Sequence, residues 1–524
     1  MKHILALLVL STTLLAVAQQ APTTADLNHQ LQPFRAGGQL SGPQSLQQYV
    51  ADGKMRLGLH DTVQLMLLNN TEVRINQLNF QRSVFILERA FSPFDTLLTS
   101  SFRPQRSTSP TSSSIAASST LDQPFSVGAT QLFALGTSLN VNFSADRNAN
   151  NSTVTILNPA LSSQFSFSVT QPLLKGRGLV VNRGAIWIAR RNIEQSQANF
   201  AVQINEAILS VTNQYWSLVQ AQKNLAVLQE SLKLAEESYK RDKRALELGA
   251  ISPLDIYRSE ATVAQRRLQI LQAEYAVKPL EDQLRRTLGA DLDPRMAAID
   301  IELTEPVESK NELMAMDIAT AMELALNHRP ELVATKLQVA NDDTSLQLAS
   351  NALKPNLSLG GFYTSSGLSS GLGDAFNQVG TFKFPSYGMN LSFQFPVRNR
   401  AASADYGTAL INKKNDMYSL RQREQQVNQD VRNAVHQLEE SKLAITAAAT
   451  SRDLAQKTLA AEQRKYELGA ETIFFVLDAQ NQLEQAEQSY VQALISYQLA
   501  VATLDRATGN LLVRNHVMIE EALK

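Results

Sequence analysis

One turn occurs twice in this 524-residue chain, and each copy closes a long run free of glycine and proline. The first copy reads Arg244-Ala245-Leu246-Glu247-Leu248-Gly249-Ala250, the second Arg464-Lys465-Tyr466-Glu467-Leu468-Gly469-Ala470. No Gly or Pro interrupts 185–248 or 408–468, and at 1.5 Å per residue each run makes a helix of about 90–95 Å. Gly just past a helix C-terminus accepts the left-handed backbone that ends the helix. The pattern predicts two very long helical hairpins bent back at Gly249 and Gly469, and with them a tandem duplication. That repeat overrides the count of several domains that length alone suggests.

Composition narrows the function class. A net charge of −1 gives none of the clustered basic footprint that a nucleic-acid partner needs. The absence of cysteine excludes disulfides, thiolate metal sites, cysteine nucleophiles and lipidation at an N-terminal Cys. Met1-Lys2-His3, an apolar run from Ile4 to Leu15 and Ala16-Val17-Ala18 read as a secretory signal peptide over 1–18. About 13 apolar residues are too few to span a bilayer, and no later stretch approaches the roughly 20 that would. An exported chain without a spanning helix is expected. Residues 19–58 form a polar, Gln-rich lead, read as flexible to about Lys54.

The two repeats occupy 59–311 and 312–524. Each runs helix, strands, long helical hairpin and a closing equatorial segment. In the first, a helix over 59–90 offers Val63, Met66, Leu67, Val73 and Ile75 for burial, and Pro93 ends it. Leu139–Phe143 and Phe165–Val169 alternate with period 2, as strands do, and the Ser/Thr/Pro-rich run Ser107–Thr120 reads as a mobile loop. Ile204, Ile208, Val211, Tyr215, Leu218, Leu225 and Leu232 then recur at coiled-coil spacing. The returning segment spans 253–288, with a kink predicted at Pro279, and 289–311 reads as irregular. The second repeat has a helix over 317–353 broken near Pro330, strand candidates Asn356–Tyr363 and Met389–Phe395 around a Gly/Ser-rich loop, and a seam of Val427, Val431, Ala434, Leu438 and Ile445. Its returning helix ends near Gly509.

Alternating strands in an exported helical chain can cap a coiled coil or enter a membrane. Strands in lipid must close into a barrel, and bacterial barrels need about eight strands or more. Each repeat offers two clear strands, too few for one chain to close alone. Strands that enter a membrane here must be shared among several chains.

In this order of elements the chain resembles the TolC family of outer-membrane efflux proteins. So does Thr170-Gln171-Pro172-Leu173-Leu174 leading into the first long helix, and above all Tyr466-Glu467-Leu468-Gly469-Ala470-Glu471-Thr472-Ile473-Phe474-Phe475-Val476-Leu477-Asp478-Ala479 at the second turn. The resemblance covers about 59 to the C-terminus. It implies a mainly α fold with β: long helical hairpins forming a trimeric α-barrel of twelve helices, continuous with a shared transmembrane β-barrel of twelve strands. It implies an outer-membrane location extending into the periplasm of a Gram-negative-type cell. The partners implied are two further copies, outer-membrane lipid, a periplasmic adaptor (membrane fusion) protein and an inner-membrane pump of RND, MFS or ABC type, for efflux or type I secretion. One stretch departs from the pattern: 93–172 is about twice the length that two strands and a loop need, which leaves open whether it adds barrel strands or only an outer loop.

The resemblance places a closed periplasmic aperture just after the turns. Asp255 and Tyr466 match latch residues, Asp478 matches an aspartate that rings the lumen, Phe475 replaces a second such aspartate, and Glu471 replaces a latch arginine. On the residues alone, Phe474 and Phe475 lie four and three positions before Asp478, on neighbouring parts of one helix surface. Three Asp478 carboxylates around an axis would repel one another and favour cations, and a Phe475 ring beside them could close the pore by dewetting. The small tips Leu248-Gly249-Ala250 and Leu468-Gly469-Ala470 suit an approaching backbone, and the resemblance implies adaptor docking there. Turn chemistry alone also explains those glycines. Lys175-Gly176-Arg177-Gly178 lacks the frame of a phosphate loop, and the six scattered histidines make no pair at metal-ligand spacing. No catalytic site, cofactor or metal is expected. The expected function is a passive export duct; the alternative is a periplasmic coiled-coil scaffold, for which the alternating strands would have no use.

Overall fold

The computed structural model describes residues 42–112, 115–249, 251–296, 299–307 and 314–519; the signal peptide, most of the polar lead and Ala250 lie outside them. In chain order the elements are β1 (Val50–Ala51), β2 (Lys54–Leu57), α1 (Leu59–Asn69), α2 (Thr71–Phe91), β3 (Leu97–Phe102), β4 (Gln105–Thr108), β5 (Ser119–Asp122), β6 (Phe125–Leu132), β7 (Ser138–Asn150), β8 (Ala160–Pro172), α3 (Leu179–Glu247) and α4 (Pro253–Thr287). There follow β9 (Asp300–Leu303), α5 (Ile318–His328), α6 (Pro330–Ala352), β10 (Asn356–Ser369), α7 (Leu372–Gly380), β11 (Pro385–Gln394), α8 (Arg400–Glu467), α9 (Ile473–Thr508) and α10 (Leu511–Arg514). The two long runs are helices of 69 and 68 residues. No helix among the described residues is long and apolar enough to cross a membrane. The chain divides into two compact units, one holding 82–194 and 336–418, the other 37–81, 195–335 and 419–524.

The first unit is built on one antiparallel sheet of eight strands. The stretch 93–172, too long for two strands and a loop, holds six strands, all of them in this sheet. β3 and β4 form one pass and β5 and β6 another, because the pairings Phe102 with Phe125 and Gln105 with Asp122 keep a single register. The interruptions fall at Pro104 and Pro124, which have no N–H to give to a ladder. Ser107, Thr108, Ser119 and Thr120, read as loop, are paired strand residues. β6 pairs with β7, β7 with β8, β8 with β10 and β10 with β11. The pleat then sorts the side chains, since directly opposed residues share a face. One row across all six passes reads Leu98, Ala129, Val141, Phe167, Tyr363 and Tyr387. The adjacent row, on the other face, reads Thr99, Gly128, Asn142, Ser166, Thr364 and Ser386. One face is mostly apolar and one hydroxyl- and amide-rich, with Leu97, Leu132, Phe362 and Leu368 as apolar exceptions on the polar side and Ser100, Gln131, Arg147, Ser163, Gln171 and Ser365 as polar ones on the apolar side.

The Gly/Ser-rich connection between β10 and β11 contains a helix rather than only loop. Leu372, Ala375, Phe376 and Val379 fall on one side of α7, which lies against the apolar sheet face. Ser163 Oγ donates to the Ala375 carbonyl at 2.8 Å, Ser365 Oγ to that of Val379 at 3.0 Å, and Phe376 meets Phe143 at 5.5 Å between ring centroids. A Cβ on Gly367 would lie 2.2 Å from the Ala375 oxygen, so this approach requires glycine.

The second unit packs the long helices around buried seams. Met55, Leu57, Val63, Met66, Ile204, Ile208, Val211, Leu218, Leu284 and Ile301 form one core, and Ala321, Leu332, Val427, Val431, Ala434, Leu438, Tyr497, Ala500 and Leu504 form another. The first seam weakens along α3, where Leu225 and Leu232 are half-buried. Three expectations need correction. The helix over 59–90 is two helices, because Asn70 leaves the helical conformation and its side chain accepts from the N–H groups of Glu72 and Val73. Ile75, two residues beyond buried Val73, therefore turns outward and is 53% exposed. The lead is ordered where described: Leu46 and Met55 are buried, and β1 and β2 form a sheet with β9, which arises inside the segment read as irregular. β2 and β9 pair in parallel, Lys54 opposite Asp300. At Pro330 the expected break occurs, with Arg329 extended between α5 and α6. Pro279 lies inside the continuous helix α4.

Candidate functional site

Both turns close in the same way. Leu248 and Leu468 donate back to the carbonyls of Arg244 and Arg464, each at 3.1 Å, and Gly249 and Gly469 donate to Leu246 and Tyr466 at 2.9 and 3.0 Å. The glycines take φ of +73° and +71° with nothing near the place of a Cβ, so backbone conformation, not space, selects them. Leu248 is 85% exposed and Leu468 78%. After the first turn, Ser252 caps α4 by accepting from Leu254 N–H at 3.2 Å. Ala470 N–H donates to the Lys465 carbonyl at 3.0 Å at the second turn.

The residues expected at the aperture fall into two groups. Phe474, Phe475 and Asp478 lie on one exposed side of α9, while Ile473, Val476, Leu477 and Ala479 are buried on the other. The two phenyl rings meet edge to face at 5.5 Å, and the Asp478 carboxylate accepts from Gln482 Nε2 at 2.7 Å. Asp255, Tyr466 and Glu471 are not on that side. Asp255 sits in the first turn of α4, 3.9 Å from Arg258, and Glu471 pairs with Lys465 at 3.7 Å.

Tyr466 makes a contact that the sequence did not announce. Its hydroxyl donates to Asp242 Oδ1 at 2.8 Å, and the other oxygen of this fully buried carboxylate accepts from Ser259 Oγ. Burial first, and then the Asp242 carboxylate, push the Tyr466 hydroxyl well above the usual tyrosine range. Thus α8, α3 and α4 meet at one aspartate. Beside it Gln480 Nε2 donates to Ser238 Oγ at 3.0 Å, and Arg241 pairs with Glu467 at 3.5 Å. Farther from the turns, buried Arg266 of α4 pairs with Glu484 and Asn481 of α9, and Ser231 Oγ donates to Glu484 at 2.9 Å. A polar clasp therefore joins the two hairpins behind their tips. One signal for it existed. Leu228, Ser231, Ala235, Ser238 and Asp242 continue the 3/4 spacing of the α3 seam, and all are buried. Among the described residues, no group of three His, Cys, Asp or Glu could hold a metal.

The family model "Outer membrane efflux protein" matches residues 135–290 and 321–510. The probable efflux pump outer membrane protein TtgC of Pseudomonas putida is 25% identical over 321 residues, 60% of this chain and 63% of that protein. The outer membrane protein TolC of Vibrio cholerae is 24% identical over 353 residues, 64% of this chain and 75% of that one. The match thus spans less than two thirds of the length of TtgC. Among solved structures, CusC superposes with a TM-score of 0.66 at 16% identity, covering 90% of this chain and 95% of its own, a likeness of fold.

Proposed function

The chain belongs to the outer membrane efflux protein family and is a protein of the outer membrane, and from that premise we propose that three copies form a passive duct, gated at the end that carries Gly249 and Gly469. The observation that carries this reading is the two-faced sheet. α7 covers that apolar face only about Ser163 and Ser365, while Leu98, Tyr387, Met389 and Leu391 on it stay exposed. A soluble cap would have no reason to leave so much of it bare, whereas a wall between lipid and a watery lumen requires it. The helices supply the periplasmic part of the duct. The uncovered side of α9 with Phe474, Phe475 and Asp478 is the constriction, an apolar ring beside an acidic one. The duct is passive; a periplasmic adaptor and an inner-membrane pump make the system tripartite and supply energy for efflux or type I secretion. The exposed tips at Leu248 and Leu468 are the docking points for the adaptor.

Single-channel recording of the purified protein in planar bilayers tests this reading. Small cation-selective steps are expected, with weaker selectivity for Asp478→Asn, because removing three like charges removes most of the attraction for cations. Unchanged selectivity would move the constriction away from Asp478. Failure of well-folded protein to insert would leave the scaffold standing instead. At the tips, Leu248→Glu with Leu468→Glu should abolish adaptor pull-down while trimers persist.

A further inference from the structure

Six passes of strand per chain, where two from each repeat were expected, bear on how copies meet. Within one chain the sheet order leaves two outer edges, β11 on one side and the β3–β4 pass on the other. Both carry unpaired N–H and C=O groups, which lipid does not tolerate. We propose that the occupant of each edge is a second copy of this chain, β11 pairing with β3 of the next, so that three copies close one barrel of eighteen strands rather than twelve. This inference rests on the trimeric duct proposed above and adds its strand number, its strand order and the identity of its seam.

Three observations carry it. First, the direction is right. All pairings in this sheet are antiparallel, so six consecutive passes leave β11 and β3 running in opposite senses, and a head-to-tail ring of copies stays antiparallel throughout. Second, the additional passes are wall and not loop. β6 and β7 are paired from Phe125 with Ala145 to Leu132 with Ser138, and both rows of side chains cross them without changing face. Lifting the β3–β6 hairpin off the sheet would break the whole of this β6–β7 ladder. Third, the outermost pass meets the requirement of a wall strand: Leu98 and Phe102 are 73% and 63% exposed on the apolar side, with Thr99 and Ser101 opposite them. Since diameter grows about linearly with strand number, an eighteen-stranded barrel is roughly one and a half times as wide as one of twelve. The membrane section of this duct then does not limit what passes, and selection falls on the constriction at α9.

Cryo-electron microscopy of the full chain, extracted and returned to lipid nanodiscs, counts the strands directly. Trimers with eighteen strands are expected. Trimers with twelve, the β3–β6 hairpin lying off the wall, would overturn the inference and leave the duct intact. Two copies closing twelve strands, or no shared barrel, would overturn both. Disulfide trapping in membranes gives an independent reading, because the chain has no cysteine of its own. Thr99→Cys or Ser101→Cys combined with Ser386→Cys, Asn390→Cys or Ser392→Cys places thiols on the polar faces of β3 and β11. Oxidation should yield covalent trimers from at least one such pair and none from Asn142→Cys with the same β11 positions. Covalent trimers from the Asn142→Cys pairs alone would put β7 at the seam and sink the eighteen-stranded ring.

Discussion

The two returning helices, α4 and α9, follow the same turn, have 35 and 36 residues, and live in different surroundings. Half of α9 is buried, chiefly through Ile473, Val476, Leu483, Ile495, Ala500 and Leu504. Less than a quarter of α4 is buried, and that part includes Arg266, Glu281 and Arg285. Its outer side compensates with Leu254, Tyr257, Ala261, Ala264, Leu268, Leu271 and Tyr275, all exposed and spaced alternately by three and four. That is a second coiled-coil seam with no partner among the described residues. The two hairpins share their turn but not their packing: half of α9 is buried within the chain, whereas α4 presents an exposed apolar seam.

The largest expected effect comes where the two helices touch. Glu484→Ala leaves the Arg266 guanidinium buried without its counter-charge, a change that costs about 3–5 kcal/mol. Replacing both partners together, Arg266→Met with Glu484→Leu, should recover most of that loss, since an apolar pair of similar volume needs no compensation. Unfolding followed by helical circular dichroism measures both. Equal destabilisation by the single and double variants would mean that the pair carries net stability rather than mutual neutralisation.

Next in size is a direct contrast of the faces. Ile495→Ala, at a fully buried position of α9, should destabilise the fold by about 2–5 kcal/mol. Leu271→Ala, on the open seam of α4, should change the fold of a single chain by about 0.5 kcal/mol or less. The stronger pair Leu268→Asp with Leu271→Asp should release monomers in size-exclusion chromatography while helical content is kept. Trimers that survive this double substitution would assign the seam to solvent and remove α4 from the boundary between copies.

The parts legible from sequence were those whose signal is periodic or conformational. Long runs without Gly or Pro gave the helices, a glycine demanding positive φ gave each turn, and Ile204 through Leu218 marked a true core. Legibility failed where polar residues carry structure. Asp242, Ser259 and Arg266 look like surface residues until the neighbouring helix is known, because only the partner decides whether a charge can be buried. The strands of 97–132 were hidden for a related reason: their polar face is mainly Ser and Thr, and Pro104 and Pro124 interrupt the alternation. β9 was invisible because its partner, β2, lies in a distant part of the chain. The resemblance matched Tyr466 and Asp255 each to a latch residue; the partner of the Tyr466 hydroxyl, Asp242, had no such signal.

The smallest effect concerns protons, and it separates the two helices again. On α9 the buried Asp505 carboxylate has its pKa raised by burial, against the opposing pull of Arg514 at 2.6 Å. On α4 the buried Glu281 has two cations, Arg285 and Lys278, each at 3.4 Å. A carboxyl group whose folded pKa lies above its unfolded value binds its proton more tightly in the folded chain. Its contribution to stability is therefore greatest below the ordinary value of 3.8 and is lost as pH rises from there through the raised folded pKa. Asp505→Asn holds the side chain neutral at every pH and keeps an oxygen for Arg514. Unfolding measured upward from pH 4 should show a shallower fall in stability for this variant than for the natural chain. Parallel curves would mean that Arg514 compensates the carboxylate fully, and the interior of α9 would then tolerate charge as well as α4 does.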